Sequence, residues 1–94
     1  MLLKFYNKGK VTNEFIVTDY IDLIKDIRKY EKNDKEIIYN EFGGNNSDYL
    51  HIEFHVKNFI DTFNGIDELT DTTKIILKVL KTVKQDISVA VFYL

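Results

Sequence analysis

Apolar and polar positions change period several times along the 94 residues, and each change marks an element. Residues 2–7 and 11–17 are apolar-rich runs on either side of Asn7-Lys8-Gly9-Lys10. A short polar link with a glycine free to take positive φ predicts a β-hairpin there. From 19 to 32 the period becomes helical. Tyr20, Ile21, Leu23, Ile24, Ile27 and Tyr30 share one arc, while Asp19, Asp22, Lys25, Asp26, Lys29 and Lys32 occupy the other. Thr18 or Asp19 is placed to cap this helix and Val17 to staple it, and the acids precede the bases as the helix dipole favours.

Two strands are expected next, at 36–42 and 49–57, flanking the polar and glycine-rich link Gly43-Gly44-Asn45-Asn46-Ser47-Asp48. The second alternates, with Leu50, Ile52, Phe54 and Val56 on one face and His51, Glu53, His55 and Lys57 on the other. Residues 58–64 suit a short helical turn stopped at Asn64-Gly65. A second long helix is predicted from about 67–71 to Gln85, with Ile75, Ile76, Val79, Leu80 and Val83 on its apolar arc. Ile87 to Leu94 is apolar at nearly every position, which predicts a strand covered on both faces and central in its sheet.

The order β-β-α-β-β-(short α)-α-β predicts a single α+β domain over residues 1–94. Its two layers are a mixed, mostly antiparallel sheet of about five strands and two helices packed on one face. The strands at 36–42 and 87–94 carry apolar residues on both sides, Ile37 and Tyr39 against Ile38 and Phe42. Helices on one side leave the second face uncovered, so a tyrosine-rich face is expected to meet a partner or a second copy of the chain.

Composition narrows the function classes. Cysteine is absent, which removes disulfides, thiolate metal sites and cysteine nucleophiles. No stretch of about eighteen consecutive apolar residues could span a membrane. The start, Met1-Leu2-Leu3-Lys4, meets a lysine at once, so a signal peptide is not expected and the cytoplasm is. Twelve lysines against one arginine, twelve isoleucines, eight asparagines and no proline favour residues with A/T-rich codons.

Four patterns carry candidate chemistry. His51-x-Glu53-x-His55 places two imidazoles and a carboxylate on one strand face, an arrangement suggestive of a zinc site. In line they stand about 7 Å apart, too far to share an ion without a twist and a further ligand such as Asn40 or Glu41. Metal binding or an enzyme built on these residues is therefore the alternative, and a solvated polar face the preferred reading. Ser47, Asp48 and His51 lack the elbow and oxyanion donors of a hydrolase, and Gly43-Gly44 lacks the lysine and following helix of a phosphate loop. No catalytic residue and no cofactor is assigned. Lys74, Lys78, Lys81 and Lys84 form a stripe opposite the apolar arc of the last helix, the pattern of a phosphate-gripping face. A net charge of −2 and a lone arginine argue against nucleic acid, leaving a solvated face as the expectation.

The fourth pattern is charge segregation. Between 36 and 71 eight acids stand against Lys57 alone, so the middle of the chain is expected to steer a basic protein partner. Glu41, Asp48, Asp67 and Glu68, with Tyr39 and Tyr49, are the candidate partner-binding residues. Together these features suggest a small interaction module, not an enzyme. Its size, acidity and scarcity of motifs fit an inhibitor, immunity or anti-defence protein of a phage or mobile element, with a homodimer through the open sheet face as a further expectation.

Overall fold

The computed structural model describes residues 1–43 and 47–94. Strands β1 (Leu2–Asn7), β2 (Lys10–Ile16), β3 (Ile38–Gly43), β4 (Tyr49–His55) and β5 (Ile87–Tyr93) form one sheet in the order β2-β1-β5-β4-β3. Helices α1 (Tyr20–Tyr30), α2 (Val56–Phe63) and α3 (Asp71–Leu80) complete a two-layer α+β domain. All four strand pairings are antiparallel, so the parallel component that a mixed sheet would have is missing. β5 is the central strand, the place its continuous apolar run predicts.

The β1–β2 turn follows from its residues. Lys8 and Gly9 both have positive φ, 53° and 77°, the signature of a two-residue hairpin turn whose twist matches that of its strands. Gly43 ends β3 at φ 93°, and a Cβ there would collide with the carbonyl oxygen of Tyr49. Only glycine suits that close approach. Residues 44–46 of the predicted β3–β4 link, including Gly44, lie outside the described residues.

The helix layer packs on the face presented by Leu3, Phe5, Leu50, Ile52, Phe54, Ala90 and Phe92, all buried. Phe54, Phe59 and Phe63 stack edge-on in series, with ring centroids 5.3 and 4.7 Å apart, and weld β4 to α2. Each such side chain stabilises the fold by roughly 1.5–3 kcal/mol through burial alone. Asp19 caps α1, its carboxylate accepting the Ile21 N–H at 3.1 Å. With Asp19 as the cap, Thr18 holds the position before it where a staple would sit, and Val17, one residue earlier, is buried in the core instead.

Several boundaries differ from the sequence pattern, each for a local reason. α1 stops at Tyr30 because Glu31 turns to extended backbone and accepts the Ile37 N–H at 3.0 Å. β4 ends at His55, so Val56 and Lys57 start α2; Val56 keeps its place in the core from a helix. α3 ends at Leu80, five residues before Gln85, in a turn held by the Thr82 hydroxyl donating to the Val79 carbonyl at 2.7 Å. Lys84 therefore lies beyond the helix.

Asp26 corrects the wheel of α1. It is buried, not solvated, and its Oδ2 accepts from the Thr70 N–H at 3.0 Å and the Thr70 hydroxyl at 2.8 Å. Thr70 is the N-cap of α3, so a carboxylate from α1 satisfies a helix end 44 residues away. Thr72 adds a second tie by donating to the Asp19 carbonyl at 3.3 Å.

Candidate interaction surface

Antiparallel register builds the opposite face row by row, because partners across a strand pair point the same way. The first row runs Ile16–Leu2–Tyr93–Tyr49 across β2, β1, β5 and β4. The second runs Glu14–Lys4–Val91–His51–Phe42 across all five strands. The third runs Val11–Tyr6–Val89–Glu53–Asn40. No described helix covers these rows. Ile16 is 83% exposed and Phe42 48%, and Val11, Tyr49 and Tyr93 are exposed with them.

A bulge between Ile38 and Asn40 shapes the β3 edge of this face. Ile38 pairs with Phe54 and packs against the core, whereas Asn40 and Phe42 pair with Glu53 and His51 on the open side. Without the bulge all three would share a face, as Ile38 and Phe42 were expected to do. Phe42 then stacks on His51 with ring centroids 4.2 Å apart and 17° between planes, and meets Tyr49 edge-on at 6.4 Å. Tyr39 packs edge-on against His55 at 5.2 Å.

Polar groups on the face are largely paired among themselves. Lys4 Nζ is 3.5 Å from Glu14 Oε1 and 5.4 Å from the centre of the Tyr93 ring. The Tyr6 and Tyr93 hydroxyls hydrogen-bond to each other across β1 and β5. That bond, aided by desolvation and by the charges of Tyr93 and Glu14, pushes the Tyr6 phenol up to about 12. Asn40 Nδ2 donates to Glu53 Oε1 at 3.4 Å. His51 Nε2 lies 3.6 Å from Glu53 Oε2, beyond hydrogen-bond reach, and is buried without a hydrogen-bond partner.

The His51-x-Glu53-x-His55 triplet does share the open face, and His51 is turned to Glu53, but the two imidazoles pack against different aromatic neighbours. The His51 ring lies on Phe42 and the His55 ring against Tyr39. Glu41 cannot join them: it pairs with Ile52 and borders a depression on the helix side with Tyr20, Ile24 and Arg28. Among the described residues no group of three or more histidines and carboxylates is placed to hold a metal ion. Nor does a hydrogen bond join Ser47 to His51, whose Nε2 is turned to Glu53.

The remaining candidates scatter. Tyr39 and Tyr49 belong to the open face. Asp48 sits at its end, its carbonyl accepting the Leu94 N–H at 2.9 Å. Asp67 and Glu68 are exposed on the link between α2 and α3. Of the other acids between 36 and 71, Glu41 and Glu53 take opposite faces of the sheet. Lys74 and Lys78 are exposed on α3 and Lys81 caps it, so the predicted stripe keeps three of its four lysines. Ile16, Val11 and Lys4 also belong to the open face, where strand alternation of β1 and β2 places them, and the bulge puts Phe42 there apart from Ile38. Among the described residues, no helix is long and apolar enough to cross a membrane. No protein-family model, curated protein or solved structure matches the chain.

Proposed function

We propose that this chain is a small protein-binding module whose working surface is the helix-free face of the sheet. One observation carries the reading: strands that bury Phe5, Phe54 and Phe92 under the helices leave Ile16, Phe42, Tyr49 and Tyr93 facing solvent at alternate positions. Folding does not require those residues to be apolar, whereas a partner surface is enriched in them. Aromatics supply large, rigid contact area at little entropic cost. The open face provides the short-range contact, and a net charge of only −2 leaves the choice of partner to the residues of that face. In its narrower form the proposal is an inhibitor, immunity or anti-defence protein of a phage or mobile element that acts by occupying a partner's surface. Small size, scarcity of motifs and the bias towards A/T-rich codons support that form.

The test is site-specific photo-crosslinking in the source cell. A photoreactive aromatic in place of Phe42 or Tyr49 is expected to give discrete protein adducts, and one in place of Lys25 or Lys78 on the helix layer is not. Adducts from the helix positions alone, or none from either set, would overturn the reading.

A further inference from the structure

Resting on that reading, we propose that the open face pairs with the same face of a second copy, about a twofold axis running along β5. The face suits a weak, micromolar pair. Five strands at ~4.8 Å spacing and six residues at ~3.3 Å give a flat footprint of about 24 by 20 Å, or about 480 Å² before side-chain relief. That lies below the ~800 Å² per partner of standard stable pairs, in the range of weaker associations.

Charge selects the axis. Lys4 on β1 and Glu53 on β4 flank the central β5 on opposite sides, one register row apart. A twofold axis along β5 lays β1 of one copy over β4 of the other. Lys4, 3.5 Å from Glu14 in its own chain, then also faces His51 and, one step along, Glu53 of the second copy, and the symmetry makes the contact twice. An axis across the strands would instead lay β1 on β1 and β4 on β4, setting Lys4 against Lys4 where it crosses the second row and Glu53 against Glu53 where it crosses the third, like-charge clashes in either case. Along β5 itself Val91 and Tyr93 meet their own copies, which makes an apolar seam between the two sets of charges. Sheets packed this way sit ~10 Å apart, close enough for a lysine to reach across.

Sedimentation of the purified chain, with charge reversals mixed in trans, tests the arrangement. The wild type is expected to reach twice the monomer mass of 11.1 kDa at micromolar concentration. Lys4→Glu and Glu53→Lys should each weaken self-association at least about tenfold, because each puts like charges together twice. An equimolar mixture of the two variants should dimerise again, since every contact across the heterodimer then pairs opposite charges. Restoration by mixing also shows that both variants are folded. A wild type that stays monomeric to high micromolar concentration overturns the inference, and so does a dimer indifferent to both reversals or a mixture that stays monomeric. In those cases crosslinks from Phe42 or Tyr49 to a different protein would keep the binding module without its dimer, and the absence of any crosslink would remove both.

Discussion

The two faces of the sheet are built from the same strands, yet only one of them makes the fold. On β4, Leu50, Ile52 and Phe54 are buried beneath the helices, while Tyr49, His51, Glu53 and His55 alternate with them on the uncovered side. On β5 the covered face holds Ser88, Ala90 and Phe92, and the open face Ile87, Val89, Val91 and Tyr93. An antiparallel sheet with one solvated face ordinarily shows polar residues there. Here the open face is aromatic and aliphatic in its first row and paired in charge in its second. A residue type that the fold does not demand is information about something outside the fold, and this contrast is the physical basis of the binding proposal.

The sharpest way to break the comparison is to remove one large side chain from each face of β4. Phe54 is fully buried, against Phe59, so Phe54→Ala is expected to cost about 3–5 kcal/mol through lost burial and the cavity left behind. Tyr49→Ala, five residues earlier on the other face, should change monomer stability by less than about 1 kcal/mol. Chemical denaturation of both variants measures the difference. Comparable losses would mean that the open face is part of the folding core, and the argument from dispensability would fail.

A second, smaller effect tests whether the covered side is held by polar chemistry as well as by packing. Asp26→Ala removes the only carboxylate among the described residues that ties α1 to the start of α3, and leaves the Thr70 N–H unpaired and its hydroxyl with Thr73 as its remaining partner. The expected loss is about 2–3 kcal/mol, the scale for breaking hydrogen bonds to a charged group and leaving a half-buried donor unpaired. Thermal melts should show Asp26→Asn recovering part of it, since an amide oxygen can still accept. No loss in either variant would mean that the helix layer rests on apolar packing alone.

Asp26 also shows where legibility in the chain stops. Periodicity placed every strand and helix in the right order, and put β5 at the centre, because patterns of period two and 3.6 are local consequences of burial. It put Asp26 on the polar arc, because its partner lies 44 residues away and nothing local announces it. The uncovered second face was legible from the two-sided apolar strands, but its membership was not. The bulge at Tyr39 puts Ile38 and Phe42 on opposite faces, and the phase shift it causes is not legible in a strand that is apolar on both sides. The run of acids between 36 and 71 likewise did not announce that Glu41 and Glu53 would take opposite faces of the sheet, because the same bulge decides it.

The smallest expected effect concerns the one tyrosine pair that ties the open face together. Tyr6 donates to or accepts from Tyr93 across β1 and β5, and this bond, more than desolvation or nearby charge, lifts the Tyr6 phenol from its ordinary 10.0 to about 12. A proton-binding affinity raised by folding stabilises the folded state fully below the unfolded value of about 10. That contribution fades as the pH rises through the folded value near 12. Tyr93→Phe removes the partner oxygen and keeps the ring over which Lys4 lies, so Tyr6 should titrate closer to 10. The stability difference between wild type and Tyr93→Phe is then expected to be present at neutral pH and to shrink towards zero in strong alkali. Phenolate absorbance of the folded protein follows the titration, and denaturation at several pH values follows the linkage. An unchanged Tyr6 titration in Tyr93→Phe would show the two hydroxyls to be independent in solution. The open face would then lack the tyrosine hydroxyl bond across β1 and β5, and stacking and strand register would hold its aromatic rows in place.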